Sequence, residues 1–208
     1  MKNVQLLVVL LSSFALILTG CPSPQVVEDE PPVPEVPEEE EEVVEEEEVE
    51  EAPGPGVLGM VATAEMIDGE GNSIGEVVFT QTEEGVQVEG TITGQEPGPK
   101  GFHVHEFGEC ETPDFLSAGG HFNPEGHDHG EPEAPHDQRH AGDFGNIEFD
   151  EEGEANFSFV DDVITLGEGE NDIVGKALIV HEQEDDLETQ PTGDAGPRAG
   201  CGLILASE

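Results

Sequence analysis

From Val57 onward the chain consists of short segments in which apolar and polar residues alternate, separated by turns rich in glycine and acidic residues. Alternation with a period of two is the pattern of a strand with one buried face. Segments 75–80 and 86–92 flank a Gly-bearing turn and predict a β-hairpin, and segments 146–149 and 155–159 predict a second one. Further strands are predicted at 61–64, 101–105, 172–174, 177–181 and 202–205.

These segments predict an all-β domain, a Greek-key β-sandwich or flattened barrel of about eight antiparallel strands. No long run shows the 3.6-residue period of a helix. Trp and Tyr are absent, so Phe and the aliphatic residues must form the core. Two stretches, 106–145 and 182–200, resist assignment to strands, and loops of that length usually carry function.

The first 20 residues have the features of an export signal peptide. Lys2 gives a positive start, an apolar run follows over 4–18, and small residues precede Cys21. The ending Leu-Thr-Gly-Cys resembles a bacterial lipoprotein processing site, in which Cys21 would become the first mature residue and carry the lipid. An ordinary secretory signal is the alternative. Both interpretations predict an exported domain, and the first adds a lipid anchor in a bacterial membrane, with the domain facing the periplasm or the cell exterior.

Residues 21–56 are predicted to form a disordered acidic tether. The part from 28 to 51 is nearly all Glu, Pro and Val and contains 15 acidic residues. Such a composition buries too little apolar surface to offset the entropy of ordering, and like charges extend the chain. A helix over 37–51 is the alternative, but Glu repulsion at i,i+4 opposes it. The folded domain is therefore assigned to 57–208.

The charge balance excludes one class of partner. The chain carries 50 acidic and five basic residues, a formal net charge of −45, so nucleic-acid phosphates would be repelled. The predicted domain itself has 35 acidic side chains against four basic ones, which leaves it near −31. Adaptation to high salt, where screening shortens the repulsion, and a generally solubilising surface both account for this charge.

The distribution of histidine indicates metal chemistry. All eight histidines lie between positions 103 and 181: His103, His105, His121, His127, His129, His136, His140 and His181. On a strand, His103 and His105 point to the same face and can share a metal, for which imidazole ligands favour copper or zinc. His181 ends an apolar strand segment and is a candidate third ligand. A solvated His-rich loop that chelates metal weakly would explain His127, His129 and His136, but not the histidines in apolar strands.

Five segments resemble, in the same order, the motifs of copper/zinc superoxide dismutases. Segment 101–108, Gly-Phe-His-Val-His-Glu-Phe-Gly, is similar to the family's copper-binding strand. Segments 117–124 and 139–147 are similar to its bridging-ligand loop and its zinc loop, and segments 180–182 and 193–202 complete the set. The resemblance extends over the whole predicted domain.

The resemblance implies a ligand set for two metal ions. Copper would be held by His103, His105, His121 and His181. Zinc would be held by His121, His129, His140 and Asp143, so that the imidazole of His121 would bridge the two ions. His127 and His136 stay open as alternatives to His129, because the gap from His129 to His140 is longer than in the family's usual pattern.

Three further roles follow from the same resemblance. Asp185 matches an outer carboxylate that links a copper ligand to a zinc ligand, with an ordinary surface acid as the alternative. Arg198 matches the arginine that attracts and orients superoxide. Cys110 and Cys201 match the family's disulfide, and they are also the two cysteines that remain if Cys21 carries a lipid.

The implied activity is dismutation of superoxide to oxygen and hydrogen peroxide, with copper and zinc as cofactors and His121 and Arg198 as catalytic residues. A copper or zinc carrier, an adhesion-type sandwich with an incidental metal and a hydrolytic zinc enzyme are the alternatives. A complete ligand set together with Arg198 favours the enzyme over the carrier. Four zinc ligands leave no open position for hydrolysis. The strand pattern predicts no particular oligomer.

Overall fold

Eight β-strands make up the computed structural model, which describes residues 56–207. In chain order they are β1 (Val61–Asp68), β2 (Ser73–Gln81), β3 (Val86–Thr93), β4 (Gly98–His105), β5 (Asp143–Phe149), β6 (Glu154–Asp161), β7 (Ala177–His181) and β8 (Arg198–Ala206). They form one antiparallel sheet in the order β5-β4-β7-β8-β1-β2-β3-β6. The pairs β4/β7, β8/β1 and β3/β6 join strands that are not consecutive, as in a Greek key. The all-β prediction is confirmed.

The first predicted hairpin is present and the second is not. In β2 and β3, Gln81 lies opposite Val86 across the turn, and the Thr82 amide donates to the Gly85 carbonyl at 2.8 Å. Strands β5 and β6 also follow each other through a short turn, but within the described sheet β5 pairs with β4 and β6 pairs with β3. The second hairpin prediction was therefore wrong, since these two strands are the edges of the sheet.

Aromatic side chains hold the two edges of the sheet near each other. The rings of Phe144 in β5 and Phe159 in β6 lie 5.4 Å apart, and those of Phe102 in β4 and Phe157 in β6 lie 5.1 Å apart. Where the two edges meet, side chains and not a backbone ladder connect β5 and β6. The sheet therefore curls into a nearly closed barrel.

The prediction of a strand at 172–174 was also wrong. Its backbone makes only an isolated bridge between Thr165 and Asp172. The Asp172 carboxylate accepts hydrogen bonds from the amides of Gly167 and Val174, at 2.8 and 3.0 Å, and so folds the segment into a turn. The apolar signal in the sequence came from Ile173, which is fully buried in the core.

Strand β4 separates the apolar core from a polar face. Phe102 and Val104 are fully buried in the main core inside the barrel, while His103 and His105 point to the opposite face. Long loops cover that outer face, which explains why five successive residues of β4 are buried. Its neighbour β7 is buried along its whole length for the same reason.

The loop between β4 and β5 is fastened to the outside of the barrel. It contains two short 3₁₀ helices, Leu116–Ala118 and His136–Gln138. A small second core lies beneath its first part and includes Phe115 and Ile179, both fully buried. Next to this core, Cys110 and Cys201 form the expected disulfide, with their Cα atoms 5.7 Å apart.

A buried cation fastens the second part of the same loop. Arg139 is 1% exposed, and its Nη2 lies 2.9 Å from Oδ2 of Asp161 at the end of β6. Its Nη1 also donates to the Asp143 carbonyl at 3.3 Å. Removing one partner of such a pair would leave a buried charge without compensation, so the pair holds this end of the loop against the sheet.

The predicted signal segment, Cys21 and nearly all of the acidic tether lie outside the described residues. Within 56–207, no helix has the length and apolar character needed to cross a membrane.

The disulfide closes a large loop and should stabilise the domain. Cys110 and Cys201 are 91 residues apart, for which loop-closure entropy predicts about 4–5 kcal/mol. We expect the double change Cys110→Ser, Cys201→Ser to lower the free energy of unfolding, measured in guanidinium, by up to that amount. Cys21→Ser, which keeps both partners, is the control. Equal stability of the two variants would contradict the prediction.

Candidate metal centre

Four imidazole rings meet on the outer face of the barrel. His103 and His105 come from β4, His181 ends β7, and His121 comes from the loop that runs beside the end of β4. All four are buried, and one ring nitrogen from each lies within 4.8 Å of the others. We call this set the histidine cluster.

Each ring of the histidine cluster presents one nitrogen that has no hydrogen-bond partner among the described residues. These atoms are His103 Nδ1, His105 Nε2, His121 Nε2 and His181 Nε2. Buried polar atoms are almost always satisfied in native proteins. Four unsatisfied nitrogens directed at a common point therefore fit a metal ion that accepts their lone pairs.

The second nitrogen of these rings is held by an oxygen atom. His103 Nε2 lies 2.6 Å from Asp185 Oδ2, His105 Nδ1 lies 2.9 Å from the Gly119 carbonyl, and His181 Nδ1 lies 3.1 Å from the Gly196 carbonyl. Because these oxygens only accept, the nitrogens facing them must carry the proton. The opposite nitrogens are then left with free lone pairs, as metal ligation requires.

A second set of ligand atoms adjoins the first. His121, His129, His140 and Asp143 are all buried, and one ligand atom from each lies within 4.8 Å of the others. The three Nδ1 atoms lie 2.8, 3.0 and 3.2 Å from carboxylate oxygens of Asp143. We call this set the mixed cluster. Three nitrogens and one carboxylate are a usual donor set for four-coordinate zinc.

The two clusters share the ring of His121. Its Nδ1 faces the Asp143 carboxylate in the mixed cluster, and its Nε2 faces the histidine cluster. The ring also lies close to that of His103, with centroids 4.0 Å apart and the planes tilted by 30°. The arrangement that the sequence predicts, one imidazole between two metal positions, is thus geometrically available.

The carboxylate of Asp185 contacts one ring of each cluster, His103 and His129. It is 1% exposed, and besides its contact with His103 its Oδ1 lies 2.9 Å from Nε2 of His129. Asn146 holds it in place, since the side-chain amide of Asn146 exchanges two hydrogen bonds with the Asp185 backbone, at 2.8 and 2.9 Å. The alternative that Asp185 is an ordinary surface acid is therefore wrong.

Sequence reasoning missed two residues that position the site. Asn146 was visible only as part of the zinc-loop motif, where nothing marked its link to Asp185. Gln190 holds His129 by accepting from its amide at 2.7 Å and donating to its carbonyl at 2.8 Å. A glutamine in an irregular loop gives no sequence signal, because its partners lie 61 residues away.

The structure places His129, and not His127 or His136, in the mixed cluster. The structure brings His129 to Asp143 and Asp185, whereas His127 and His136 lie together in a different group near Glu125. Gly130, which follows His129, donates its amide to Asp143 Oδ2 at 3.2 Å. The loop therefore turns in a way that directs His129 inward.

The electrostatics of the two clusters differ. Burial lowers the pKa of His103 to about 3 and that of His181 to about 4, so both rings stay neutral and able to bind a metal at physiological pH. Burial also acts on His129, but the carboxylates of Asp143 and Asp185 outweigh it and raise its pKa to about 9. Despite burial, the neighbouring imidazoles hold the pKa of both carboxyl groups below the usual range. The mixed cluster thus favours positive charge, which a metal cation supplies.

Arg198 lies in a cleft beside the histidine cluster. Residues lining this cleft include His105, His181, Asp114 and Glu182. The guanidinium donates to the carbonyls of Phe115 and Gly119, and the ring of His105 donates to the same Gly119 carbonyl. Partial burial lowers the pKa of Arg198, and the guanidinium stays charged because arginine is not deprotonated in proteins.

Taken together, the fold and the clusters define an antiparallel β-barrel protein with two adjoining metal sites on its outer face. The family model for copper/zinc superoxide dismutase matches residues 73–204. The chain belongs to the copper/zinc superoxide dismutase family, and copper and zinc are its cofactors.

Known relatives agree over most of their length. The chain is 41% identical over 150 residues to superoxide dismutase (Cu-Zn) 2 of Aquifex aeolicus, covering 69% of this chain and 85% of the relative. It is 44% identical over 152 residues to superoxide dismutase (Cu-Zn) A of Xenopus laevis, covering 70% and 97%. A Dictyostelium discoideum superoxide dismutase (Cu-Zn) 5 is 44% identical over 129 residues, covering 59% and 82%.

Solved structures share the barrel. The clock protein EA4 is 41% identical, with a TM-score of 0.65 over 73% of this chain and 98% of that protein. A double mutant of a SOD-like protein from Bacillus subtilis is 36% identical, with a TM-score of 0.64 over 69% and 96%.

A glycine makes room for the carboxylate behind the two clusters. Gly193 has a φ of +63°, and a Cβ there would lie 1.7 Å from Asp185 Oδ1 and 2.7 Å from His129 Nε2. We expect Gly193→Ala to displace Asp185 and lower zinc affinity roughly 10- to 100-fold, measured by release to a chelator.

Gly94→Ala is the matched control for this change. Gly94 also has a positive φ, of +83°, but a Cβ there meets nothing within 4 Å. It would therefore share only the backbone strain, on the order of 1–3 kcal/mol. Equal zinc release from the two variants would contradict the predicted effect of the contact with Asp185.

Proposed function

We propose that the domain dismutates superoxide, with copper held by the histidine cluster and zinc held by the mixed cluster. The observation that carries this assignment is the convergence of four buried, unpartnered nitrogens on one point, next to a set of three nitrogens and a carboxylate. Membership of the superoxide dismutase family supports the reaction. The cleft holding Arg198 supports a small anionic substrate.

The chain's own groups would prepare the site for this reaction. When bound, copper supplies a one-electron couple through which two superoxide anions and two protons become oxygen and hydrogen peroxide. The carboxylate and carbonyl acceptors behind His103, His105 and His181 fix the three rings, so their lone pairs keep one direction whatever the charge in the site. His121 Nε2, which faces the histidine cluster, would bind copper through its lone pair. When it is not coordinated, the same atom would hold a proton and could pass it to the substrate.

Arg198 supplies a fixed positive charge where the anion would bind. Two of its five N–H groups are used on the carbonyls of Phe115 and Gly119, which leaves others for the substrate. The Gly119 carbonyl accepts from both Arg198 and His105, so one backbone atom positions the guanidinium and one ring of the histidine cluster. The carboxylates of Asp114 and Glu182 line the same cleft and would repel superoxide. Attraction of superoxide into the cleft would therefore depend on the charge of Arg198.

The strongly acidic surface makes the dependence of the rate on salt unusual. A domain near −31 repels superoxide on average, and added salt screens that repulsion. We expect kcat/KM to lie below the diffusion ceiling at low salt and to stay flat or rise as sodium chloride is added, measured by pulse radiolysis on protein containing one copper and one zinc per chain. A steep fall with salt would contradict the expectation.

Variants at Arg198 test the role of its charge in the same assay. We expect Arg198→Gln to lower kcat/KM by roughly tenfold or more, within the range of electrostatic focusing, while Arg198→Lys retains most of the rate. Copper and zinc contents should stay at the wild-type level in both. Unequal metal contents would mean that the loss reflects the site's assembly, and a wild-type rate in Arg198→Gln would remove Arg198 from the mechanism.

We further propose that the protein is exported and anchored by a lipid on Cys21, with the acidic tether holding the domain away from the membrane. The apolar segment ending in Leu-Thr-Gly-Cys supports the anchor. The Cys110–Cys201 disulfide supports an oxidising compartment, because such bonds are rare in the cytoplasm.

Replacement of Cys21 by serine tests the lipid anchor. In a bacterial host, we expect the wild-type chain to incorporate labelled palmitate and to fractionate with membranes, whereas Cys21→Ser does neither. Cys110→Ser is the matched cysteine control and should still be labelled. Release of the unlabelled wild-type domain into the periplasm would indicate an ordinary secretory signal.

A further inference from the structure

Two histidines that the dismutase site does not use lie together on the surface of the long loop. His127 Nε2 is 3.7 Å from Oε2 of Glu125, and His136 Nε2 is 2.9 Å from Oε1 of the same carboxylate. One ligand atom from each of the three residues lies within 4.8 Å of the others. We call this group the loop cluster. Its side chains are 20–25% exposed, so solvent ions can reach it.

The backbone of the loop directs these side chains toward each other. Asn123 Oδ1 accepts from the amides of Gly126 and His127, both at 3.0 Å, and its side-chain amide donates to the His127 carbonyl at 2.9 Å. Gly126 has a φ of +79°, which allows the tight reversal between Glu125 and His127. The turn is therefore specified by the sequence Asn-Pro-Glu-Gly-His and does not depend on the Glu–His contact.

A buried amide from another loop points into the cluster. Asn171 is 0% exposed, and its Nδ2 donates to Glu125 Oε1 at 3.0 Å and lies 3.4 Å from His136 Nε2. Its Oδ1 is buried and has no partner among the described residues. Rotation of the amide by half a turn would direct that oxygen at the position between Glu125 and His136, and a bound cation would stabilise that rotamer. An unsatisfied buried oxygen, on an amide group that already contacts Glu125 and His136, is the second observation that indicates a cation ligand.

The chemistry of the loop cluster selects a class of ion. Two imidazole nitrogens and one carboxylate oxygen suit Zn²⁺ or Cu²⁺ and are poor ligands for Ca²⁺ or Mg²⁺, which prefer oxygen. The surrounding loop adds the negative charges of Asp128, Glu131, Glu133 and Asp137, and no lysine or arginine occurs from 121 to 138. This field raises the local concentration of cations.

We propose that the loop cluster is a third metal site, which binds a zinc-type divalent cation through Glu125, His127 and His136, with Asn171 as an additional oxygen donor. His129, which belongs to the mixed cluster, lies between His127 and His136 in the chain. An ion bound to both of them would fasten the segment that carries His129 at its two ends. Through Asn171 it would also link this loop to the loop between β6 and β7. The third ion therefore stabilises the loop of the dismutase site without taking part in its reaction.

Titration of the full-length holoprotein tests the site. Protein that contains one copper and one zinc per chain is titrated with Zn²⁺ against a competing chromophoric chelator, and thermal unfolding is followed at each step. We expect one further equivalent of Zn²⁺ to bind and to raise the midpoint temperature. Glu125→Gln, His127→Gln and His136→Gln should each weaken this equivalent by roughly tenfold to a hundredfold or more.

Glu133→Gln is the matched control for Glu125→Gln, because it removes the same charge from the same loop outside the loop cluster. It should leave the affinity of the third equivalent unchanged. Equal weakening by both changes would mean diffuse binding to the acidic surface and would overturn the proposal. Absence of a third equivalent in the wild-type protein would overturn it too. Copper and zinc contents before titration verify that each variant is folded, and His127→Gln and His136→Gln test the site independently of any charge change.

Discussion

The alternation of side chains along β4 is the constraint on which the rest of the structure depends. Because successive residues of a strand face opposite sides, Phe102 and Val104 bury themselves in the barrel while His103 and His105 face outward. A shift of one residue in the register would exchange these faces, burying two imidazoles in the apolar core. The hydrophobic effect that closes the barrel thus also aims the first two ligands of the histidine cluster.

The loops supply the remaining metal ligands, and they are attached to the barrel by contacts other than strand pairing. The first part of the long loop is held by a disulfide over a small second core, and the second part by the buried pair of Arg139 and Asp161. Between these fastenings the loop delivers His121 and His129, while His140 follows directly after Arg139 and Asp143 begins β5. Asp185 then connects the loop before β8 to both clusters, so the site is assembled from segments distant in sequence but fixed to one sheet.

The sequence was most informative where a physical pattern is local. Alternation predicted most strands of the barrel, and the spacing of His103 and His105 on a strand indicated a shared metal. The other ligands, and the division into two sets, were implied only by the family resemblance. Two predictions failed for reasons that lie outside the local pattern. Strand β6 pairs with β3, which lies far away in the sequence, and not with its neighbour β5. Ile173 is buried by tertiary packing in a segment whose backbone is a turn. The choice of His129 over its neighbours, and the support from Asn146 and Gln190, depend on contacts across many residues.

The metal ligands lie on the outer face of the barrel, so the residues that bind metal are separate from those that form the hydrophobic core. The interior is filled by aliphatic and aromatic side chains, while His103 and His105 lie on the opposite face of β4. Folding of the sheet and the affinity for metals can therefore change independently over evolutionary time. A descendant that exchanged the outward ligands would keep its scaffold, and the same outer face would be open to a new coordination chemistry at little cost to the architecture beneath it.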